Sequence, residues 1–191
     1  MSDGDRADAA FPPVRLSKFL SLVLRHHPER IGLLLDREGW ADVEDLLTRA
    51  REAGVPLTRE VLEQVVRDND KQRFALDVEN GRIRANQGHS VEVDLGLATS
   101  SPPSLLYHGT ARGSLASIRR SGLRAGSRRH VHLSATPETA RTVGSRHGVP
   151  VVLAVESGRM ADDGRSFYRS ANGVWLTDRV DVDYLVFPPE D

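Results

Sequence analysis

The spacing of apolar residues predicts three helices in the first part of the chain. Over residues 14–26 apolar side chains recur at helical spacing opposite a polar face, and Pro28 ends this helix. A second helix follows Trp40 and stops at Gly54, and a third begins at Thr58, which fits an N-cap. In each of the three segments the apolar residues fall on one stripe.

A β-hairpin is predicted after these helices. Residues 73–78 and 82–85 alternate like strands, and Glu79-Asn80-Gly81 separates them. Asn-Gly tolerates positive φ at both central turn positions, which is typical of tight hairpins. Three helices followed by a hairpin indicate a winged-helix lobe, a fold often used on nucleic acids, which we assign to residues 14–99.

The pattern changes near residue 100. Residues 87–104 are rich in Gly, Ser, Thr and Pro, so residues 86–99 are assigned as a connector. Five short strands are then predicted, with helices at residues 114–121 and 137–146, and the strands lie at residues 105–108, 130–134, 150–155, 173–177 and 184–187. The second lobe, residues 100–191, is therefore mixed α/β, the fold class is α+β, and residues 1–13 are expected to form a disordered leader.

The charge of the chain is balanced overall and uneven locally. With 26 Lys and Arg against 27 Asp and Glu, the chain does not fit a purely electrostatic nucleic-acid binder. From Leu95 to Pro137, however, no acidic residue occurs among six arginines and three histidines: Arg112, Arg119, Arg120, Arg124, Arg128, Arg129, His108, His130 and His132. Such a run indicates an anion-binding segment, with phosphate as the leading candidate ligand.

Composition narrows the setting in which the protein works. The chain has no cysteine, which excludes disulfides, thiolate nucleophiles and the common structural zinc sites, and fits a reducing compartment. No signal peptide is evident, and no apolar run approaches the roughly 20 residues of a membrane span. We expect a soluble, cytoplasmic protein without a membrane partner, and a monomer.

Two groups of residues in the first lobe are candidates for chemistry. Arg25, His26 and His27 end the first helix, where cations also gain about 0.3 to 1 kcal/mol from the helix dipole alone. Arg73 opens the first hairpin strand beside Phe74, which we expect to face the core. An edge-strand arginine is also a common solvated charge, so neither group is decisive by itself.

The second lobe has two further candidate groups. In His108-Gly109-Thr110 the glycine allows close approach of a ligand, and the flanking side chains supply hydrogen bonds. Strand alternation puts His130 and His132 on one face. They have no third ligand at metal-site spacing, so no metal is predicted. Arginines and histidines without a general-base carboxylate suit phosphoryl and glycosyl transfer.

Seven motifs follow one another between residues 14 and 187: LSKFLSLVLRHHPE, WADVEDLL, DKQRFAL, IRANQGHS, LYHGT, RHVHLS and FYRSANGVWLT. With these motifs the chain resembles the RNA 2'-phosphotransferase family, known for removing the splice-junction 2'-phosphate from tRNA with NAD+. The resemblance implies a winged-helix RNA-binding lobe followed by an ADP-ribosyltransferase-like lobe. It also implies NAD as co-substrate, no metal, and RNA bearing a 2'-phosphate as partner.

The same resemblance implies roles for individual residues. The family's Arg-His-Arg-Arg catalytic tetrad falls on Arg25, His26, Arg73 and Arg128, with Arg129 as the alternative for the last place. The arginines would hold the phosphate, and His26 would add a hydrogen bond or a proton. The implied NAD-binding residues are His108, Gly109, Thr110, Ser117, Ile118, Gly122, His132, Leu133, Ser134, Gly144 and Arg146.

The implied reaction has two steps. The 2'-phosphate attacks C1'' of the nicotinamide ribose and releases nicotinamide; the 2''-hydroxyl then attacks the phosphate, giving 2'-hydroxyl RNA and ADP-ribose 1'',2''-cyclic phosphate. The NGVWLT strand lacks the glutamate that many protein-directed ADP-ribosyltransferases carry, which fits a phosphate acceptor. The alternatives are ADP-ribosylation of terminal phosphates of RNA or DNA, and a non-catalytic nucleic-acid-binding NAD sensor.

Overall fold

The computed structural model describes residues 12–189, and the chain divides into two compact units between Leu95 and Gly96. Each unit has its own hydrophobic core. Of the predicted leader, residues 1–11 lie outside the described part, while Pro13 is already the first residue of a helix. The division falls inside the segment that the sequence analysis assigned as a connector.

The first unit contains the three predicted helices and one further strand. Helices α1, α2 and α3 span Pro13–Arg25, Val43–Glu52 and Arg59–Arg67, and a 3-10 turn spans Pro28–Ile31. Strands β1, β2 and β3 span Ala41–Asp42, Phe74–Asp77 and Arg82–Ala85 and form an antiparallel sheet in the order β1-β3-β2. The side chain of Thr58 accepts a hydrogen bond from the Val61 amide at 3.3 Å, which confirms the predicted N-cap.

The hairpin is confirmed, but its turn differs from the prediction. Asp77 pairs with Arg82, so the loop has four residues, and only Gly81 has positive φ, at 61°. Loops of this length are usually built around a type I turn, which needs no left-handed asparagine. Asn80 instead donates its side-chain amide to Asp77 at 2.9 Å. Phe74 is buried, as its place in the alternation predicted.

The predicted connector is part of the first unit up to Leu95. Asn86, His89 and Val93 are buried, and the amide of Asp94 donates to the Arg37 carbonyl at 2.8 Å. Residues 86–94 therefore pack within the first unit. The motif IRANQGHS, which ends at Ser90, therefore lies wholly within the first unit.

The second unit is mixed α/β, as predicted. Its helices α4, α5 and α6 span Leu115–Ser121, Pro137–Gly144 and Ser157–Asp162. Its strands β4 to β11 span Leu106–Ala111, Leu123–Arg124, Val131–Leu133, Pro150–Val155, Tyr168–Arg169, Trp175–Thr177, Arg179–Val180 and Leu185–Val186. They pair antiparallel in the orders β11-β7-β4, β6-β9-β8 and β10-β5.

All five strands predicted for this unit are present, with slightly different ends. Helix α6 and the two-residue strands β5, β8 and β10 were not predicted. The α+β class is confirmed by the two units together, while the winged-helix and ADP-ribosyltransferase-like descriptions of the lobes stay predictions. None of the helices within residues 12–189 is long and apolar enough to cross a membrane.

Candidate functional site

The C-terminal end of α1 presents Arg25 and His26. The helix buries Leu20 and Leu24, which fixes its rotation against the core of the first unit. The amides of Ser90 and Val91 donate to the Arg25 carbonyl at 2.9 and 3.3 Å, and His26 Nδ1 shares a hydrogen bond of 2.9 Å with Ser90 Oγ. Ser90, the last residue of IRANQGHS, and the following Val91 therefore hold the end of α1, and Ser90 also holds the His26 ring.

Arg73 lies beside Arg25, although 48 positions separate them in the sequence. Arg25 Nη2 donates to the backbone carbonyl oxygen of Arg73 at 3.2 Å, and the same oxygen accepts from the backbone amide of Asn86 at 2.9 Å. The Arg25 guanidinium also lies 5.8 Å above the Phe74 ring. The structure thus brings together three of the four residues predicted for the tetrad: Arg25, His26 and Arg73.

The guanidinium of Arg73 is itself held by a neighbour. Its Nη1 donates to Asn69 Oδ1 at 3.2 Å, and Asn69 Nδ2 donates to Ser17 Oγ of α1 at 3.3 Å. Three residues of this network were not predicted from the sequence: Asn69, Asn86 and Ser90. Each lies inside or directly beside a quoted motif, but nothing local in the sequence shows that an asparagine will be buried.

A buried histidine, His89, lies close to Arg25 and His26. His89 is only 3% exposed, and burial, reinforced by the positive charges of Arg25, His26 and Arg84, lowers its pKa from 6.5 to about 4. Within residues 12–189 neither ring nitrogen has a hydrogen-bond partner. The smaller, Coulombic part of this pKa shift comes from Arg25, His26 and Arg84, so these side chains place positive charge close to His89.

His89 should make the first unit sensitive to acid. In the unfolded chain a histidine binds a proton below pH 6.5, whereas folded His89 resists protonation down to about pH 4, so stability is lost as pH falls across that window. The full effect is about 3 kcal/mol at 1.4 kcal/mol per pH unit. Urea unfolding midpoints from pH 7 to 4.5 should therefore fall less steeply for His89→Gln than for wild type. His147→Gln, at an exposed histidine, is the control and should follow wild type.

In the second unit, His108 and His132 meet where β4 and β6 approach. Tyr107 and Ser134 exchange backbone hydrogen bonds of 2.9 and 2.8 Å, and His108 Nδ1 donates to the His132 carbonyl at 3.1 Å. A carbonyl only accepts, so His108 carries its proton on Nδ1 and presents Nε2 as an acceptor. Burial lowers the pKa of His108 below 6.5, against the His132 hydrogen bond, which raises it.

Arg128 joins this group of histidines. Its Nη1 lies 3.4 Å from His132 Nδ1, and since a guanidinium only donates, that nitrogen is an acceptor. At His130, burial lowers the pKa, Asp178 at 3.6 Å opposes this, and the Arg129 charge adds a smaller lowering. The contact between Arg128 and His132 favours Arg128 over Arg129 as the fourth tetrad residue, and this assignment stays a prediction.

Several predicted NAD-binding positions have a packing role in the second unit. A Cβ on Gly109 would overlap the Ala140 carbonyl oxygen of α5, and one on Gly144 would lie 2.8 Å from the Thr110 carbonyl. A Cβ on Gly122, which has φ of 69°, would overlap the Val180 carbonyl. The side chain of Ile118 lies in the core. Packing explains these residue types without a ligand, and their NAD role stays a prediction.

The remaining predicted positions differ in exposure. Thr110 and Leu133 are buried, and Ser134 is half-buried. Ser117 on α4 and Arg146 just after α5 are exposed. The residues best placed to meet a ligand by hydrogen bonds near His108 are therefore His132 and Ser134.

The acid-free run is partly compensated in three dimensions. Arg124 Nη1 lies 3.8 Å from Asp181, because β5 pairs with β10 immediately before that aspartate. Asp181 also accepts from Arg165 at 3.2 Å and contacts Arg179 at 3.4 Å. Arg124, although it lies in a run without acidic residues, therefore has a counter-charge from a distant part of the chain. Within residues 12–189 no three His, Asp or Glu side chains are grouped to hold a metal.

Comparison with known proteins assigns the family. Residues 12–179 match the family model described as RNA 2'-phosphotransferase, Tpt1 / KptA family, which covers most of both units and defines a class of transferases. The chain belongs to the RNA 2'-phosphotransferase family. The resemblance deduced from the seven motifs is thereby confirmed.

Its bacterial relatives are similar along nearly their whole length. It is 57% identical over 169 residues to a probable RNA 2'-phosphotransferase of Agrobacterium fabrum, covering 88% of this chain and 91% of that protein. Identity to the probable RNA 2'-phosphotransferase of Flavobacterium johnsoniae is 54% over 172 residues, covering 90% and 94%. The chain is 52% identical over 170 residues to the probable RNA 2'-phosphotransferase of Escherichia coli O139:H28, and the match covers 88% of this chain and 92% of that protein.

Proposed function

We propose that the protein transfers the internal 2'-phosphate of RNA to NAD+, giving 2'-hydroxyl RNA, nicotinamide and ADP-ribose 1'',2''-cyclic phosphate through an RNA-2'-phospho-ADP-ribose intermediate. The observation that carries the proposal is the hydrogen bond from Arg25 to the Arg73 carbonyl. It brings two guanidinium-bearing residues together beside His26 in a region of positive potential. Family membership supplies the reaction class.

The first unit's residues act on the RNA phosphate. Arg25 and Arg73 bind its oxygens by charge-assisted hydrogen bonds, which hold the group in line and offset charge that accumulates on it. Ser90 engages His26 at Nδ1, so we assign the contact with the phosphate to Nε2. Histidine is the side chain whose unperturbed pKa lies near neutrality, so we assign the proton transfer in this reaction to His26.

The second unit's residues fit the nicotinamide riboside of NAD+. NAD+ supplies an electrophilic ribose carbon from which nicotinamide departs. Neutral His108 presents an acceptor at Nε2 and does not repel the positively charged nicotinamide ring, while His132 and Ser134 add further hydrogen-bonding groups. The chemistry of this donor set therefore suits the group.

NAD+ binding is expected to weaken in acid. Because the pKa of His108 lies below 6.5, binding should be constant above that pH and then fall by up to about tenfold per pH unit as the ring becomes charged. Calorimetric titration with NAD+ alone avoids the titration of the RNA phosphate. ADP-ribose, which lacks the nicotinamide ring, is the control and should show no such loss. The same loss for both ligands would contradict this role of His108.

The reaction itself is tested with two RNAs. Incubation with NAD+ and a short RNA carrying an internal 2'-phosphate should give 2'-hydroxyl RNA and the cyclic phosphate. The second RNA carries a terminal phosphate. A stable ADP-ribosylated end on that RNA, without removal of the internal 2'-phosphate, would establish the alternative acceptor. Binding of RNA and of NAD+ without turnover of either RNA would establish the non-catalytic NAD sensor.

A further inference from the structure

The corner that carries Arg73 is strained. Gln72 has φ of 42° and is the only non-glycine residue within residues 12–189 with positive φ. A side chain in the left-handed region costs free energy, and such residues persist only where surrounding contacts hold them. The strain lies one position before an arginine that we assign to the phosphate. The contacts around Gln72 therefore bear on how Arg73 is presented.

Two buried asparagines hold this corner. The backbone amide of Gln72 donates to the backbone carbonyl of Asn69 at 2.7 Å. The side-chain Nδ2 of Asn86 donates to the backbone carbonyl of Gln72 at 2.6 Å. Asn69 also accepts from the Arg73 guanidinium through Oδ1. Both backbone polar groups of Gln72 and the guanidinium of Arg73 are thus engaged by the same pair of asparagines.

The network also connects Arg73 to the helix that carries Arg25. Asn69 Nδ2 donates to Ser17 Oγ on α1, and Arg25 at the end of α1 donates to the Arg73 carbonyl. A shift of either arginine would break a hydrogen bond to the other element. The two guanidinium-bearing residues are therefore held in a fixed relation.

The chemistry of Asn69 suits an orienting role. An amide oxygen accepts from a guanidinium without cancelling its charge, whereas a carboxylate would form an ion pair and compete with the phosphate. Asp68 and Asp70 flank Asn69 in the sequence, yet the buried position that contacts Arg73 is the neutral one.

We propose that Asn69 and Asn86 are positioning residues that present the Arg73 guanidinium to the RNA phosphate, with Asn69 preserving its charge. The proposal rests on the proposed function. It assigns to the two asparagines an effect on the rate of phosphate transfer that their contribution to folding does not explain.

Kinetics of four variants test it. Asn69→Ala should lower kcat about 10- to 100-fold with little change in KM for the RNA, since misplacement of a catalytic group acts on the transition state. Asn69→Asp keeps the shape and the acceptor for Arg73, but it loses the donor to Ser17 and offsets the Arg73 charge, so it should lower kcat at least as much. Asn86→Ala removes the hydrogen bond to the Gln72 carbonyl and should also lower kcat by more than its loss of thermal stability explains. Asn80→Ala, at the exposed hairpin turn, is the matched control and should stay within about twofold of wild type.

A second readout does not depend on turnover. In wild type, the Nη–Hη NMR signals of Arg73, assigned with Arg73→Lys, should be resolved and protected from exchange, because Nη1 donates to Asn69 Oδ1. They should move toward the free-arginine position in Asn69→Ala and stay unchanged in Asn80→Ala. An unchanged signal in Asn69→Ala would overturn the positioning role, whatever the activity.

The outcomes separate this inference from the proposed function. If wild type does not process 2'-phosphorylated RNA, the proposed function fails and the NMR signal alone decides whether Asn69 orders Arg73. If wild type is active and Asn69→Ala has wild-type kcat, the positioning role is wrong and the proposed function stands. A fall in kcat that only parallels a fall in thermal stability, with the NMR signal unchanged, would also overturn it.

Discussion

The Arg73→Ala variant is expected to accumulate RNA-2'-phospho-ADP-ribose, with the second step slowed by about 10² to 10³-fold. Negative charge builds up on the phosphate during that step, and a guanidinium offsets it through short charge-assisted hydrogen bonds. The Arg73 carbonyl, which accepts from Arg25 and Asn86, remains in this variant. The substitution therefore removes the side chain while keeping the backbone contact with Arg25.

Single-turnover reactions with end-labelled RNA measure this effect, because substrate, intermediate and product are quantified in the same time course. The matched control is Arg67→Ala, which removes an exposed arginine at the end of α3 whose Nε lies 3.7 Å from Asp68. We expect wild-type rates for the control. If Arg73→Ala completed both steps at wild-type rates, Arg73 would have no part in binding the phosphate.

The sequence was sufficient for elements whose signals are local. Helix α3 begins where the Thr58 cap predicted, and Phe74 faces the core as the strand alternation required. The short strands were missed for a physical reason. β1 and β5 have two residues each, and the residues with which they pair are far away in the sequence: Asp42 of β1 pairs with Arg82, and Leu123 of β5 pairs with Val180. Such strands are defined by their partners and leave no periodic pattern of their own.

The candidate site shows the same division. Motifs identified Arg25, His26 and Arg73, but the hydrogen bond between Arg25 and the Arg73 backbone depends on how α1 packs against β3 and the residues before β2. The buried contacts of Asn69 likewise come from Ser17, distant in the sequence. Motifs thus provide the charged groups, and tertiary packing determines the neutral groups that orient them.

Charge in the second unit shows why a sequence run is an incomplete guide. The segment from Leu95 to Pro137 contains no acid, yet β10 delivers Asp181 to Arg124. Arg128, in contrast, contacts a histidine. The run therefore contains at least one arginine with a structural counter-ion and one beside the predicted NAD-binding histidines. Only the fold separates these roles.

Gly109→Ala is expected to destabilise the second unit by about 3 kcal/mol, the upper end of the usual cost of overpacking. The added Cβ would overlap the Ala140 carbonyl oxygen, and a helix backbone cannot move aside as a flexible side chain can. Helix α5 would have to withdraw from β4, which also carries His108. Urea unfolding followed by tryptophan fluorescence in a Trp40→Phe background, where buried Trp175 is the remaining tryptophan, measures the loss in the absence of NAD+.

Gly113→Ala is the matched control, because a Cβ there meets nothing within 4 Å and Gly113 has no positive φ. Its stability should remain within about 0.5 kcal/mol of wild type. The comparison separates two explanations of Gly109. If its role is only to let a ligand approach the backbone, Gly109→Ala would keep wild-type stability and lose NAD+ affinity. If packing requires it, stability falls with no ligand present, and any loss of NAD+ binding follows from displacement of β4.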